Sequence, residues 1–167
     1  MTSKWPIYST KEINKALKVI RSNKVNYWTG EEGKKFELEF SRYFKLRHSV
    51  AIANASLGLE CALKALNTKK GDEVIVPSKS YVSSASCVVN VNAKPIFCDI
   101  DLNSQNITPQ EIKKLITKKT KALICVHLGG FPCDMPKILK LCKRKKIKII
   151  EDCSQAHGAK KEKKFVG

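Results

Sequence analysis

The chain has 167 residues (18.7 kDa) and is 43% hydrophobic and 28% charged, long enough to bury a real core and too evenly apolar for a disordered chain. Its 32 basic and 15 acidic residues give a formal net charge of +17. No apolar run reaches the roughly 18 residues of a membrane helix, and Met1-Thr2-Ser3-Lys4-Trp5-Pro6 has no apolar stretch behind its lysine, so neither a membrane-spanning nor a signal-directed secreted protein is expected.

In chain order, Ser9-Thr10-Lys11-Glu12 reads as a capping box opening a helix whose Ile13, Ala16, Leu17 and Ile20 share one face. Thr29-Gly30-Glu31-Glu32 opens the next helix, with Phe36, Phe40 and Phe44 on one stripe. Short apolar runs rich in β-branched residues then alternate with helical segments. The runs, at 49–53, 73–76, 95–100, 122–127 and 147–151, predict buried parallel strands. Helices are expected at 57–66, 82–91 and 136–145, and Thr108-Pro109-Gln110-Glu111 opens another with proline at its first position. The basic end, residues 160–167, reads as the approach to a further strand or turn, with its lysines on a solvated hairpin. Regular alternation predicts an α/β fold, a three-layer α/β/α sandwich with a mainly parallel sheet. The first two helices form an N-terminal arm outside that sheet.

The positive charge comes from 28 lysines and only four arginines, Arg21, Arg42, Arg47 and Arg144. Specific phosphate and base readers lean on arginine forks, so a solvated lysine surface is expected and specific nucleic-acid binding is not. The seven cysteines form no C-x-x-C pair and are odd in number. That favours neither a zinc site nor a disulfide framework, and no metal site is expected. Cys98 and Cys125 fall inside apolar runs as small hydrophobes, which points to a reducing cytoplasm.

Ligands of open α/β sheets bind beyond the carboxyl ends of the strands. Asn54-Ala55-Ser56-Leu57-Gly58 falls there, a small-residue turn whose backbone N–H groups suit a phosphate; a plain N-cap by Ser56 fits the same residues. Tyr81 follows the second strand and offers a ring for stacking on a flat heteroaromatic, or for surface packing. Asp152 follows Ile149-Ile150-Glu151. A carboxylate there answers the demand of pyridoxal phosphate for a partner at its ring nitrogen, and also suits a strand-to-helix cap. Gln155 lies three residues on. His127 and His157 read more simply as structural histidines.

With these residues the chain resembles the DegT-type sugar aminotransferases, a pyridoxal-phosphate family of the aspartate-aminotransferase fold. Five segments carry the resemblance. They are Asn26-Tyr27-Trp28-Thr29-Gly30 ahead of Phe36-Glu37, then Ala53-Asn54-Ala55-Ser56, then Gly71-Asp72-Glu73-Val74-Ile75-Val76-Pro77-Ser78. They continue with Ala93-Lys94-Pro95-Ile96-Phe97-Cys98-Asp99-Ile100-Asp101 and end with Ile150-Glu151-Asp152-Cys153-Ser154-Gln155-Ala156-His157-Gly158-Ala159, the most specific. The resemblance implies pyridoxal 5'-phosphate held by five residues. Ala55 and Ser56 match the phosphate turn, where the family usually has Gly-Thr. Tyr81 matches the stacking aromatic, Asp152 the partner of the pyridinium nitrogen, and Gln155 a residue near the ring's phenolic oxygen.

The same resemblance implies substrates and assembly: an amino-acid donor such as glutamate, a nucleotide-linked keto sugar, and a homodimer when full length, with the region around Trp28 to Gly30 at the interface. The family's Schiff-base lysine lies about 25 to 30 residues beyond the matched aspartate, whereas this chain runs 15 residues past Asp152. The expectation is therefore a single partial domain. Residues 1–46 would be the helical arm and 47–167 the N-terminal part of the cofactor-binding large domain, with no catalytic lysine, no C-terminal small domain and no activity of its own. Two alternatives remain at this level, a non-catalytic half-domain that binds a ligand or partner, and a dehydratase relative.

Overall fold

The computed structural model describes residues 6–167. The leader reading at the N-terminus falls, over residues 1–5, outside the described residues. The described chain divides after Ala51 into two compact units.

The first unit carries α1 (Thr10–Arg21) and α2 (Glu32–Phe44). The capping box forms as its residues predict: Ser9 Oγ accepts from the Glu12 amide while Glu12 accepts from the Ser9 amide at 2.6 Å. The start of α2 differs. Thr29 does not cap it; its amide and hydroxyl both donate to Asn26 Oδ1, and the helix opens at Glu32 without a side-chain cap. Asn26 holds the Thr29 hydroxyl, which a capping role would instead need as an acceptor for a helix amide. Phe36, Phe40 and Phe44 do stack in series along α2, with ring centroids 5.6 and 4.5 Å apart.

The second unit holds the sheet. Its elements are α3 (Ala55–Ala65), β1 (Glu73–Pro77), α4 (Ser83–Asn90), β2 (Lys94–Cys98), α5 (Pro109–Leu115), β3 (Thr120–Val126), α6 (Met135–Lys145) and β4 (Lys148–Asp152). A two-stranded hairpin follows, β5 (Lys160–Lys161) and β6 (Lys164–Phe165), turned by Glu162 and Lys163 at φ 51° and 67°. The main sheet is all parallel in the order β2-β1-β3-β4.

Side chains alternate strictly across it, as a period of two requires. Val74, Val76, Ala122, Ile124 and Val126 pack with Leu59 and Leu63 of α3 and Cys87 and Val88 of α4. Ile75, Leu123 and Cys125 pack on the other face with Ile112 of α5 and Ile138 and Cys142 of α6. This is the α/β/α sandwich that the sequence predicts. Thr108 caps α5 with Pro109 at its start, also as predicted.

One predicted strand is absent. Residues 49–53 form no ladder. A strand is completed by a hydrogen-bonded neighbour, and among the described residues this run pairs with none. Val50 is exposed and so is Ile52. The strand predicted to reach residue 100 also ends sooner, at Cys98, leaving Ile100 in a single bridge to Ile107. All seven cysteines are free thiols, with Cys98 and Cys125 fully buried. Among the described residues, no helix is long and apolar enough to cross a membrane.

Candidate active site

α3 leads through residues 66–72 into the start of β1, and its Leu59 and Leu63 lie on the sheet. It therefore runs back along the strands, and its N-terminus sits at their carboxyl rim. Asn54, not Ser56, is its cap: Oδ1 of Asn54 accepts from the Leu57 amide at 3.0 Å. The cap reading of Ser56 is corrected, because the residue before the first helical position is the one with extended backbone. The Gly58 amide bonds to the Asn54 carbonyl. The amides of Ala55 and Ser56 have no acceptor among the described residues, so two N–H donors point out of the helix end. Ala55 is exposed and Ser56 half-buried.

Asp152 ends β4. Its parity is that of Ile150, which packs on the α3–α4 face, so its side chain emerges on that face. Glu151 has the parity of Ile149 and emerges on the α5–α6 face. Oδ1 of Asp152 accepts from the Ser154 amide at 3.0 Å and from the Ser154 hydroxyl at 2.7 Å. Oδ2 has no donor among the described residues. Tyr81 follows β1 on the same rim. Tyr81 is 69% exposed, and its carbonyl accepts from the Ser84 amide at the start of α4. Gln155 is exposed, and its Oε1 accepts from the Gly129 amide at 2.8 Å, leaving Nε2 as an outward donor. The fold thus gathers all five predicted residues at one rim, and Asp152 and the α3 terminus on one face of the sheet.

One pairing escaped the sequence reading, that of His127 with Glu151. His127 is fully buried and hydrogen-bonded through both ring nitrogens, with Nε2 3.0 Å from Glu151 Oε2 and Nδ1 accepting from the Cys133 amide at 3.0 Å. Because Nδ1 accepts, the proton is on Nε2, which donates to the carboxylate. The reading of His127 as a structural histidine agrees with this; what the sequence hides is its partner. A glutamate inside an apolar strand run was the available signal.

Burial pushes the Glu151 carboxyl up, but hydrogen bonds from His127 and from the Gly167 amide outweigh it and hold the group below the usual 4.5. A carboxyl lowered on folding stabilises the protein fully above its unfolded value, and that contribution is lost as pH falls through the folded value. The stability gap between wild type and Glu151→Gln, measured by urea unfolding, is expected to be constant from pH 7 to 5 and to close below pH 4.5. A gap that widens on acidification would show the opposite linkage.

The described residues form a parallel α/β sandwich with two free helix-end amides, a carboxylate and an exposed aromatic at the carboxyl rim of its strands. The sequence profile of the DegT/DnrJ/EryC1/StrS aminotransferase family matches residues 6–167, and the chain belongs to that family. It is 36% identical over 165 residues to GDP-perosamine synthase of Escherichia coli O157:H7, covering 97% of this chain and 45% of that protein. The aminotransferase from Psychrobacter cryohalolentis superposes with a TM-score of 0.96 at 44% identity, covering 99% of this chain and 42% of that one. The NtdA protein of Bacillus subtilis, solved with its cofactor PMP bound, gives a TM-score of 0.83 at 32% identity over 87% of this chain and 33% of its own. The chain therefore spans less than half the length of these relatives.

Aminotransferases of this family use pyridoxal phosphate. The donor set here fits that group: two unpaired amides for a dianionic phosphate, a carboxylate oxygen without a donor for a ring N–H, and an amide N–H for a ring oxygen.

Proposed function

We propose that this chain is the N-terminal, cofactor-binding part of a pyridoxal-phosphate aminotransferase. The intact enzyme would move an amino group from an amino acid such as glutamate to a nucleotide-linked keto sugar. The observation that carries the reading is Asp152 Oδ2, left without a protein donor on the face and rim where the α3 amides point outward. In this reading the Ala55 and Ser56 amides bind the phosphate, and the Tyr81 ring covers one side of the pyridine. Asp152 holds the proton on the ring nitrogen, and Gln155 Nε2 donates to the ring oxygen. The bound cofactor supplies an electron sink and carries the amino group. Ser154 orients the carboxylate by occupying Oδ1, so the free oxygen faces the ligand.

In this reading the catalytic lysine and the small domain correspond to the part of the relatives' length that this chain does not span. Residues 1–46 serve as a helical arm, and 47–167 as the first part of the large domain. The intact enzyme works as a homodimer in the cytoplasm, and its product suits the assembly of amino sugars for cell-surface polysaccharide.

Pyridoxamine phosphate binds without needing the lysine, so it tests this chain directly. In calorimetric titrations, pyridoxamine phosphate is expected to bind at least about 10-fold tighter than pyridoxamine, because each hydrogen bond to a charged group contributes roughly 1.5–3 kcal/mol. Equal binding of the two, or binding of neither, would refute the proposal.

A further inference from the structure

His127 does three things at once. Its amide extends the β3–β4 ladder by one step beyond the Val126↔Asp152 pair, donating to the Asp152 carbonyl at 3.1 Å. Its Nε2–H donates to Glu151, the residue before Asp152. Its Nδ1 accepts from the Cys133 amide and so ties together the two ends of the loop 128–132. That loop needs left-handed backbone at Gly129 (φ 61°) and Gly130 (φ 83°), and it presents the Gly129 amide to Gln155. Cys133 Sγ adds a bond to the Val126 carbonyl, just before His127.

The geometry matters because Glu151 and Asp152 face opposite sides of the sheet. A strand end can twist about its own axis unless something grips one of its faces. Here Glu151 is gripped on the α5–α6 face by His127 and by the Gly167 amide, both on Oε2. That fixes the direction in which Asp152 emerges on the other face. An apolar pair would pack this buried site without the cost of desolvating a charge, but it could set neither the loop nor the rotation of the strand end.

We infer that His127 is a positioning residue: through Glu151 and the 128–132 loop it sets the orientation of Asp152 and Gln155 for the ligand at the rim. The role toward the ligand rests on the cofactor reading above; the hold on the loop does not.

Three measurements on the full 167-residue chain test this. First, ¹⁵N spectra of the His127 ring are expected to show Nε2 protonated and Nδ1 bare. Second, His127→Gln keeps a donor toward Glu151 but loses the acceptor for Cys133, while His127→Asn does the reverse. His127→Gln is expected to speed exchange of the Gly129 amide at least about 10-fold. His127→Asn is expected to spare Gly129 and to broaden the signals of Glu151 and Asp152. Third, pyridoxamine phosphate is expected to bind about 10-fold more weakly to either variant, in the range that supporting partners of a ligand-holding group give.

Ile138→Val, a core change away from the rim, is the control for simple destabilisation. If the His127 variants move Gly129 exchange and ligand affinity no more than Ile138→Val does, the positioning role is overturned. If wild type binds no pyridoxamine phosphate while the loop still loosens in His127→Gln, the cofactor reading fails and the hold on the loop stands. If ligand binds and the ring proton sits on Nδ1, the inference fails alone.

Discussion

Asp152→Asn is expected to weaken pyridoxamine phosphate binding about 10- to 150-fold while leaving the fold intact. The substitution is isosteric. Its amide oxygen can still take the Ser154 amide and hydroxyl that now occupy Oδ1. The change falls on the other atom. Oδ2, which has no donor among the described residues, becomes an NH₂ group facing a ring N–H. An acceptor turns into a second donor, and a charge-assisted bond of roughly 1.5–3 kcal/mol is lost. With 1.4 kcal/mol per factor of ten, that loss sets the stated range. Urea unfolding should shift by less than about 0.5 kcal/mol, as for a change away from the core. The optical pH titration of the bound ligand should also move, because the neutral amide no longer favours the protonated ring. A loss of affinity under about threefold with an unchanged urea midpoint would mean that Asp152 does not face the ring nitrogen.

Much of this was legible beforehand, for physical reasons. The runs containing Val74, Ile75 and Val76 and containing Leu123, Ile124 and Cys125 are apolar on both faces, and only a strand covered on both sides needs that. Ser9 and Thr108 announce their helices because capping is decided within four residues. Asp152, Tyr81 and Gln155 could be placed on one rim because every parallel strand points the same way; the Ala55-Ser56 turn reaches that rim through the direction of α3, since the 49–53 strand expected before it does not form. The misreadings have the opposite character. The 49–53 run has strand composition, yet strand formation needs a neighbour that local composition does not reveal. Asn54 took the cap from Ser56 because the helix began two residues before its predicted start at 57. The His127–Glu151 pair depends on the parallel register of β3 against β4, which sets Cys125 opposite Glu151, so that His127, two residues on and on the same face, reaches Glu151 diagonally. No spacing within the sequence carries that register.

Leu123→Ala is the core substitution expected to cost most, about 3–5 kcal/mol in urea unfolding at neutral pH. Leu123 is fully buried in β3, which has β1 on one side and β4 on the other. Its side chain packs on the α5–α6 face among Ile75, Ile112 and Ile138, each of them also fully buried. Truncation removes the transfer energy of three carbons and leaves a cavity that the flanking ladders cannot close, since both backbone edges of β3 are hydrogen-bonded. Against a total stability of about 5–15 kcal/mol for a domain, such a loss shifts a large share of the population toward unfolding. Leu139 on α6 supplies the contrast: it is 50% exposed, and its truncation should cost well under 1 kcal/mol although it neighbours Ile138 in sequence. Equal costs for the two would deny that α6 turns the Ile138 side to the sheet. A large cost at Leu123 alone fixes the middle layer of the sandwich, and with it the strand whose next residue, His127, reaches Glu151.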